Sequence, residues 1–203
     1  MEGELTIMAE LNSLEELNSL EKLIEYLTND RSSIIENKDI PLYIYLFIFH
    51  HRAKIWNDDC IFDLICINEE FRYLASIGDD NIDEKLRLHI CIEKNYFNCF
   101  KVLLNCHYPW DEDTCILAIT NNRIEYIKYL HEFYKTLWHS SHKEFPFTYK
   151  MAKFVIKAGA LDILQYLYTI KGRMPDYHHS YYNIALQSEH THLLEFLEQC
   201  EKK

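Results

Sequence analysis

Between Pro109 and Phe133 the apolar positions fall into two short helical runs. Ile116, Leu117, Ala118 and Ile119 form the first. Ile124, Tyr126, Ile127, Tyr129 and Leu130 form the second, at three- and four-residue spacings with Glu125, Lys128 and His131 between them. Pro109 stops whatever precedes the pair, and Asp111, Glu112 and Asp113 suit a helix start, where carboxylates accept from free N–H groups and oppose the helix dipole. Asn121 and Asn122 separate the runs, because Asn tolerates the left-handed backbone that ends a helix. Neither helix is long enough to be stable alone, and the apolar faces have no cover within the pair, so such pairs must stack.

The same pattern recurs, as a stacked array requires. The run from Ala118 to His131 matches position by position Cys91 to Leu104, Val155 to Tyr168 and Ala185 to Glu198. Five positions into each run stands a turn residue: Asn95, Asn122, Gly159 and Glu189. Successive runs begin 27, 37 and 30 residues apart, so the helices repeat while their connections vary. Core positions of this frame include Cys91, Leu103, Ala118, Leu130, Leu167, Ala185 and Leu197, with Gly159 at the turn.

Leu88-His89-Ile90-Cys91 and Ala158-Gly159-Ala160-Leu161-Asp162 are the segments through which the chain resembles the ankyrin repeat family. The first matches the Leu-His-x-Ala stretch of an ankyrin first helix, and the second its Asn-Gly-His-Leu-Glu turn. The spacing, with Pro109-Trp110-Asp111-Glu112 and Thr114-Cys115, is similar to the divergent ankyrin repeats of giant DNA viruses of amoebae. The likeness covers residues 86 to 198. It implies an all-α, ankyrin-like helical-repeat solenoid, a core role for His89 in bonding backbone between repeats, and partner contacts on loop tips and on the concave helix face. Departures are the missing Thr-Pro openings, Ile116, Lys153 and Asn183 where His89 would recur, and a fourth unit whose turn residue is neither Gly nor Asn.

Upstream, residues 1–10 read as a flexible end with no signal-peptide pattern, and residues 11–58 as a helical N-terminal cap region. Leu14, Leu17, Leu20, Ile24 and Leu27 share one face of a helix, with Ser13 and Glu16 spaced as a capping box. That stripe suits either self-pairing or covering the open end of the array; covering is favoured, because terminal repeats need caps and the stripe is short. Ile40 to Phe49 is the most apolar stretch, too short for a bilayer span of about 20 residues. It reads as a buried helix capped by Asp39, with Pro41 in its first turn and an end near His50, His51 and Arg52; a buried strand is the alternative. Residues 59–84 read as a degenerate repeat, and 85–203 as four repeats, the last a C-terminal cap.

The insertion Tyr134 to Phe147 carries Trp138, Phe145 and Phe147, and is either a binding loop or packed onto neighbouring repeats. With the tips at Tyr108 to Asp113 and Met174 to His179, it supplies the candidate partner-binding residues. These are Tyr108, Trp110, Asp111, Glu112, Asp113, Trp138, His139, Met174, Asp176, Tyr177 and His178.

Charge is uneven. Residues 1 to 84 hold 19 acidic against 6 basic side chains and the remainder 13 against 15, giving −13 and +2 of the net −11. An acidic first half repels phosphate, so nucleic-acid binding is not expected. Four Gly and four Pro exclude low-complexity linkers and argue against a turn-rich β fold. The seven Cys include no Cys-x-x-Cys pair and several occupy core positions, as in a reduced, intracellular, non-secreted protein. None of the eleven His lies at zinc-finger spacing, and no phosphate loop, nucleophile elbow or His-Glu-x-x-His motif is present. No catalytic residue, cofactor, metal or membrane anchor is therefore expected.

The expected function is a non-catalytic protein–protein interaction module, acting on a host protein in the viral setting that the resemblance implies. A structural or assembly protein, self-associating through residues 11–60 or docking to a larger particle, is the alternative. A cryptic enzyme or metal protein is a third, and a ubiquitin-ligase adaptor using a helical box in residues 11–60 is a further extension. The Leu-Pro opening expected of such a box is absent.

Overall fold

A computed structural model of the chain describes residues 20–36, 40–77, 83–137, 145–175 and 178–201. Among these residues every regular element is helical, so the protein is all-α. Two compact units form, residues 1–91 with 95–109, and residues 92–94 with 110–203.

In the first unit, helices α1 (Leu20–Asn29), α2 (Arg31–Glu36), α3 (Leu42–Trp56), α4 (Asp59–Ile65), α5 (Glu69–Ser76), α6 (Glu84–Lys94) and α7 (Phe97–Asn105) follow in order. The last turn of α6 belongs to the second unit. The apolar stretch is a helix, α3, and it packs against α4, α5 and α7. Six consecutive residues, Ile44 to Phe49, are buried, as expected of a helix covered on every side. Its limits differ from those predicted. Pro41 occupies the N-cap without a side-chain cap, and Asp39 lies outside the described residues. The helix also continues past His50, His51 and Arg52 to Trp56. Ile55 is buried, and Arg52 folds back so that Nη1 donates to the Phe49 carbonyl at 2.8 Å while its guanidinium covers the Phe49 ring.

Residues 59–76 form the short helix pair that the sequence suggests. The Asp58 carboxylate accepts from the Ile61 N–H and starts α4, and the Asn68 side-chain oxygen accepts from the Phe71 N–H and starts α5. The Asn68 amide also donates to the Ile34 carbonyl, tying α2 to this turn. Helix α1 packs on α2 and α4. Leu23 and Leu27 are its buried residues, so the covered face is rotated from the expected stripe, whose Leu14 and Leu17 lie outside the described residues, as do Ser13 and Glu16.

The second unit holds α8 (Glu112–Thr120), α9 (Ile124–Leu137), α10 (Tyr149–Lys157), α11 (Leu161–Lys171), α12 (His178–Gln187) and α13 (Leu194–Glu201), with a 3-10 turn at Thr191–Leu193 leading into α13. Each successive pair, α8–α9, α10–α11 and α12–α13, packs within itself. First helices contact first helices, α8 on α10 and α10 on α12, and α9 contacts α11. Tyr168 on α11 meets Phe196 on α13 edge-on.

The turns inside the pairs share one backbone geometry. Asn95, Asn122, Gly159 and Glu189 all have positive φ, at 62, 52, 67 and 60°. In each, the following N–H donates to the carbonyl that opens the frame: Tyr96 to Cys91, Arg123 to Ala118, Ala160 to Val155 and His190 to Ala185, at 2.8 to 3.1 Å. This is the six-to-one bond of a Schellman turn, which satisfies carbonyls left open at a helix end and reverses the chain in few residues. Glu189 adopts it despite its side chain.

Candidate interaction surface

The proposed tip residues separate into distinct environments. Asp111 caps α8 in a box with Thr114, its carboxylate accepting from the Thr114 N–H at 3.1 Å. Asp113 accepts from Lys150 Nζ at 2.7 Å, and Glu112 accepts from the Thr148 hydroxyl. These acids therefore join the starts of α8 and α10. Trp110 is half-buried rather than free at a tip. Its ring stacks on Phe145 at 6.2 Å and meets Tyr134 edge-on at 6.1 Å, and Tyr134 meets Phe145 in turn. Phe145 and Phe147 are buried, so the described end of the insertion is packed down, and its start, Tyr134 to Leu137, extends α9.

Met174 is also buried, 3% exposed, whereas an exposed tip was expected. A large apolar side chain beside a turn is covered when neighbouring helices leave room for it, and the sequence alone does not reveal that room. Tyr108 is half-buried in the first unit, where its hydroxyl accepts from Arg87 Nη1 at 3.2 Å. His178 begins α12. Trp138, His139, Asp176 and Tyr177 lie outside the described residues. Of the frame residues, Cys91, Leu103, Ala118, Leu130, Leu167, Ala185 and Leu197 are buried, while His89 is half-buried at the edge of the core.

His131 links the aromatic cluster to the next helix pair. It is buried, with Nδ1 2.9 Å from the Tyr166 hydroxyl and its ring 5.3 Å from that of Phe145. Burial, then the Lys135 charge, hold its pKa below the ordinary value, with Glu132 opposing.

Side chains that the core leaves outward form a second, more regular surface. On α10, Lys150, Lys153, Phe154 and Lys157 point away from the buried Met151, Ala152, Val155 and Ile156. Spacings of three, four and seven put those four on one face. The same frame positions are Asp113, Ile116, Leu117 and Thr120 on α8, where Ile116 is buried, and Ser180, Asn183, Ile184 and Gln187 on α12. The Asp113–Lys150 ion pair joins one such position on two adjacent helices. The Tyr149 hydroxyl lies 3.3 Å from Ser180 Oγ and its ring 5.7 Å from that of Tyr181, which sets α10 beside α12 nearly in register. Leu117, Phe154 and Ile184 thereby occupy one half-buried apolar row. Sequence reasoning named the tips and missed this row; the outward complement of the core frame was the available signal.

Other chemistry is sparse. Cys91, Cys99 and Cys115 are buried thiols, and burial, followed by nearby carboxylates, raises each pKa, that of Cys115 to about 12. Among the described residues no three His, Cys, Asp or Glu side chains are grouped to hold a metal ion. No described helix is long and apolar enough to cross a membrane. No protein-family model, curated protein or solved structure matches the chain. The fold on its own defines the class, an all-α protein whose second unit stacks helix pairs.

Proposed function

We propose that the chain is a non-catalytic protein–protein interaction module built from ankyrin-like helix pairs, which binds its partner through the loop tips and the outward face of the first helices. One observation carries the reading. At shared frame positions the buried side chains are mainly apolar, as at Ala118, Val155 and Ala185, while the outward ones differ in charge from helix to helix: Asp113, Lys150 and Ser180 at one position, Thr120, Lys157 and Gln187 at another. A stack that holds its core constant and varies its face offers a long surface whose chemistry can be set without disturbing the fold. The repeated left-handed turns and the first-on-first helix contacts support the ankyrin-like part of the proposal.

In the viral setting implied by the resemblance, the partner is a host protein. Burial of Leu23 and Leu27 in contact with neighbouring helices favours a covering role for residues 20–29 over a free self-pairing stripe. The test is affinity capture of the tagged full chain from cells that normally contain it, with mass spectrometry and reconstitution of each candidate from purified components. The proposal expects a defined complex that forms with the wild-type chain and weakens when Lys153, Phe154 and Lys157 are replaced together. Reconstitution of nothing but self-assembled chain would favour the assembly reading instead.

A further inference from the structure

The apolar row lies beside three lysines of α10, of which only Lys150 has an acidic partner among the described residues. Lys150 is engaged by Asp113 and lies 3.8 Å from Glu112, so the two carboxylates at the start of α8 offset its charge. Lys153 and Lys157 make no ion pair with any described residue. They stand one position before and three after Phe154, on the same strip. Helix α10, Tyr149 to Lys157, contains three lysines and no acidic residue. Across the row, the corresponding positions on α12 are the neutral Asn183 and Gln187, and those on α8 are Ile116 and Thr120.

Resting on the interaction reading above, we propose the chemistry of the partner: an acidic, amphipathic peptide segment of another protein. Its apolar side chains lie along Leu117, Phe154 and Ile184, and its carboxylates reach Lys153 and Lys157. An apolar row alone would accept any greasy segment. The two cations restrict it, because a basic segment would meet like charge beside a partly desolvated surface, whereas carboxylates would complete the charge pairing. The long lysine stems can lie against the apolar row and keep their ammonium groups at its rim. The net charge of −11 slows an acidic ligand at long range, but at physiological salt charges beyond about 8 Å are largely screened, so the local lysines decide the contact.

The test is selection of a displayed random-peptide library against the purified full-length chain. Selected peptides are then synthesised and titrated by fluorescence anisotropy against wild type and the Lys153→Glu/Lys157→Glu double variant. The proposal expects enriched peptides with excess Asp and Glu and apolar residues at helical or alternating spacing. Their affinity should fall about tenfold in the double variant and recover when peptide acids are changed to Lys. Lys153→Gln/Lys157→Gln should give a smaller loss. Unchanged circular-dichroism melting separates lost binding from lost folding. Enriched peptides that are neutral or basic, or that bind the double variant as well as wild type, would overturn the acidic assignment and leave an interaction module standing. Absence of any enriched peptide would count against both readings.

Discussion

His190 sits directly over Gly159. Its Nε2 lies 3.0 Å from the Lys157 carbonyl oxygen, and its ring atoms come within 2.8 Å of where a Cβ on Gly159 would stand. His192 makes a parallel contact, with Nε2 3.1 Å from the Gly159 carbonyl oxygen. Two histidines at the turn of the last pair thus clasp the turn of the pair before it. Gly159 serves twice, supplying the left-handed φ of 67° and the space for the ring.

Removing glycine at this frame position and introducing it are expected to act with opposite signs. Gly159→Ala should cost at least about 1–2 kcal/mol from the left-handed backbone, and more from the displaced His190 ring. Glu189 has the same backbone with an exposed side chain, so Glu189→Gly should stabilise by about 0.5–1 kcal/mol. Urea denaturation of both variants checks the pair of signs.

Glu70 is a buried carboxylate joining three helices of the first unit. It accepts from the Cys99 N–H at 2.8 Å and from the Tyr45 hydroxyl at 3.4 Å. The Cys99 N–H belongs to the first turn of α7, where no intrahelical acceptor exists. Glu70→Ala should strand that donor and cost about 2–4 kcal/mol, while Glu70→Gln, which keeps an acceptor, should cost less. Equal losses in chemical denaturation would mean that the bond to Cys99 is not what the residue contributes.

His131 makes stability depend on pH in a defined direction. Folding lowers its pKa, so the folded chain binds fewer protons than the unfolded one. The stability that its neutral form contributes is fully present above the unfolded value near 6.5 and is lost as pH falls from there toward the folded value. His50 adds a fall of the same sign in the first unit. Thermal melting should therefore drop between about pH 7.5 and pH 5.5, and the drop should shrink in His131→Gln. An identical pH profile in that variant would rule out His131 as a contributor.

Thiol reactivity should follow burial. Cys91, Cys99 and Cys115 are buried with raised pKa values, so alkylation at about pH 8 should spare them until the chain unfolds. Cys60 is exposed and should label first. Mass spectrometry of pulse-alkylated protein distinguishes the sites.

The recurring turns were legible because each depends on few neighbouring atoms. A turn residue followed by an N–H that can reach back five residues is a local device, and even Glu189 could be placed from its position in the frame. The apolar stretch of α3 was legible as helix, but its end was not, since Arg52 folding onto Phe49 and burial of Ile55 depend on tertiary neighbours. The same holds for Trp110, Phe145 and Met174. Aromatic and sulfur side chains beside turns suit either a binding tip or a packed one, and only the space that the surrounding helices leave decides. His89, assigned to the core from a motif, is half-buried because the motif specifies residue type and not depth.

Lysine footprinting of the reconstituted complex reports directly on whether the first-helix face of the second unit is covered by the partner. Acetylation of the chain with and without its bound partner, read by mass spectrometry, compares Lys153 and Lys157 with the exposed Lys54 and Lys94 on other helices. Lys153 and Lys157 should be protected in the complex while Lys54 and Lys94 react as before. Unchanged labelling of Lys153 and Lys157 in a saturated complex would contradict binding through the first-helix face.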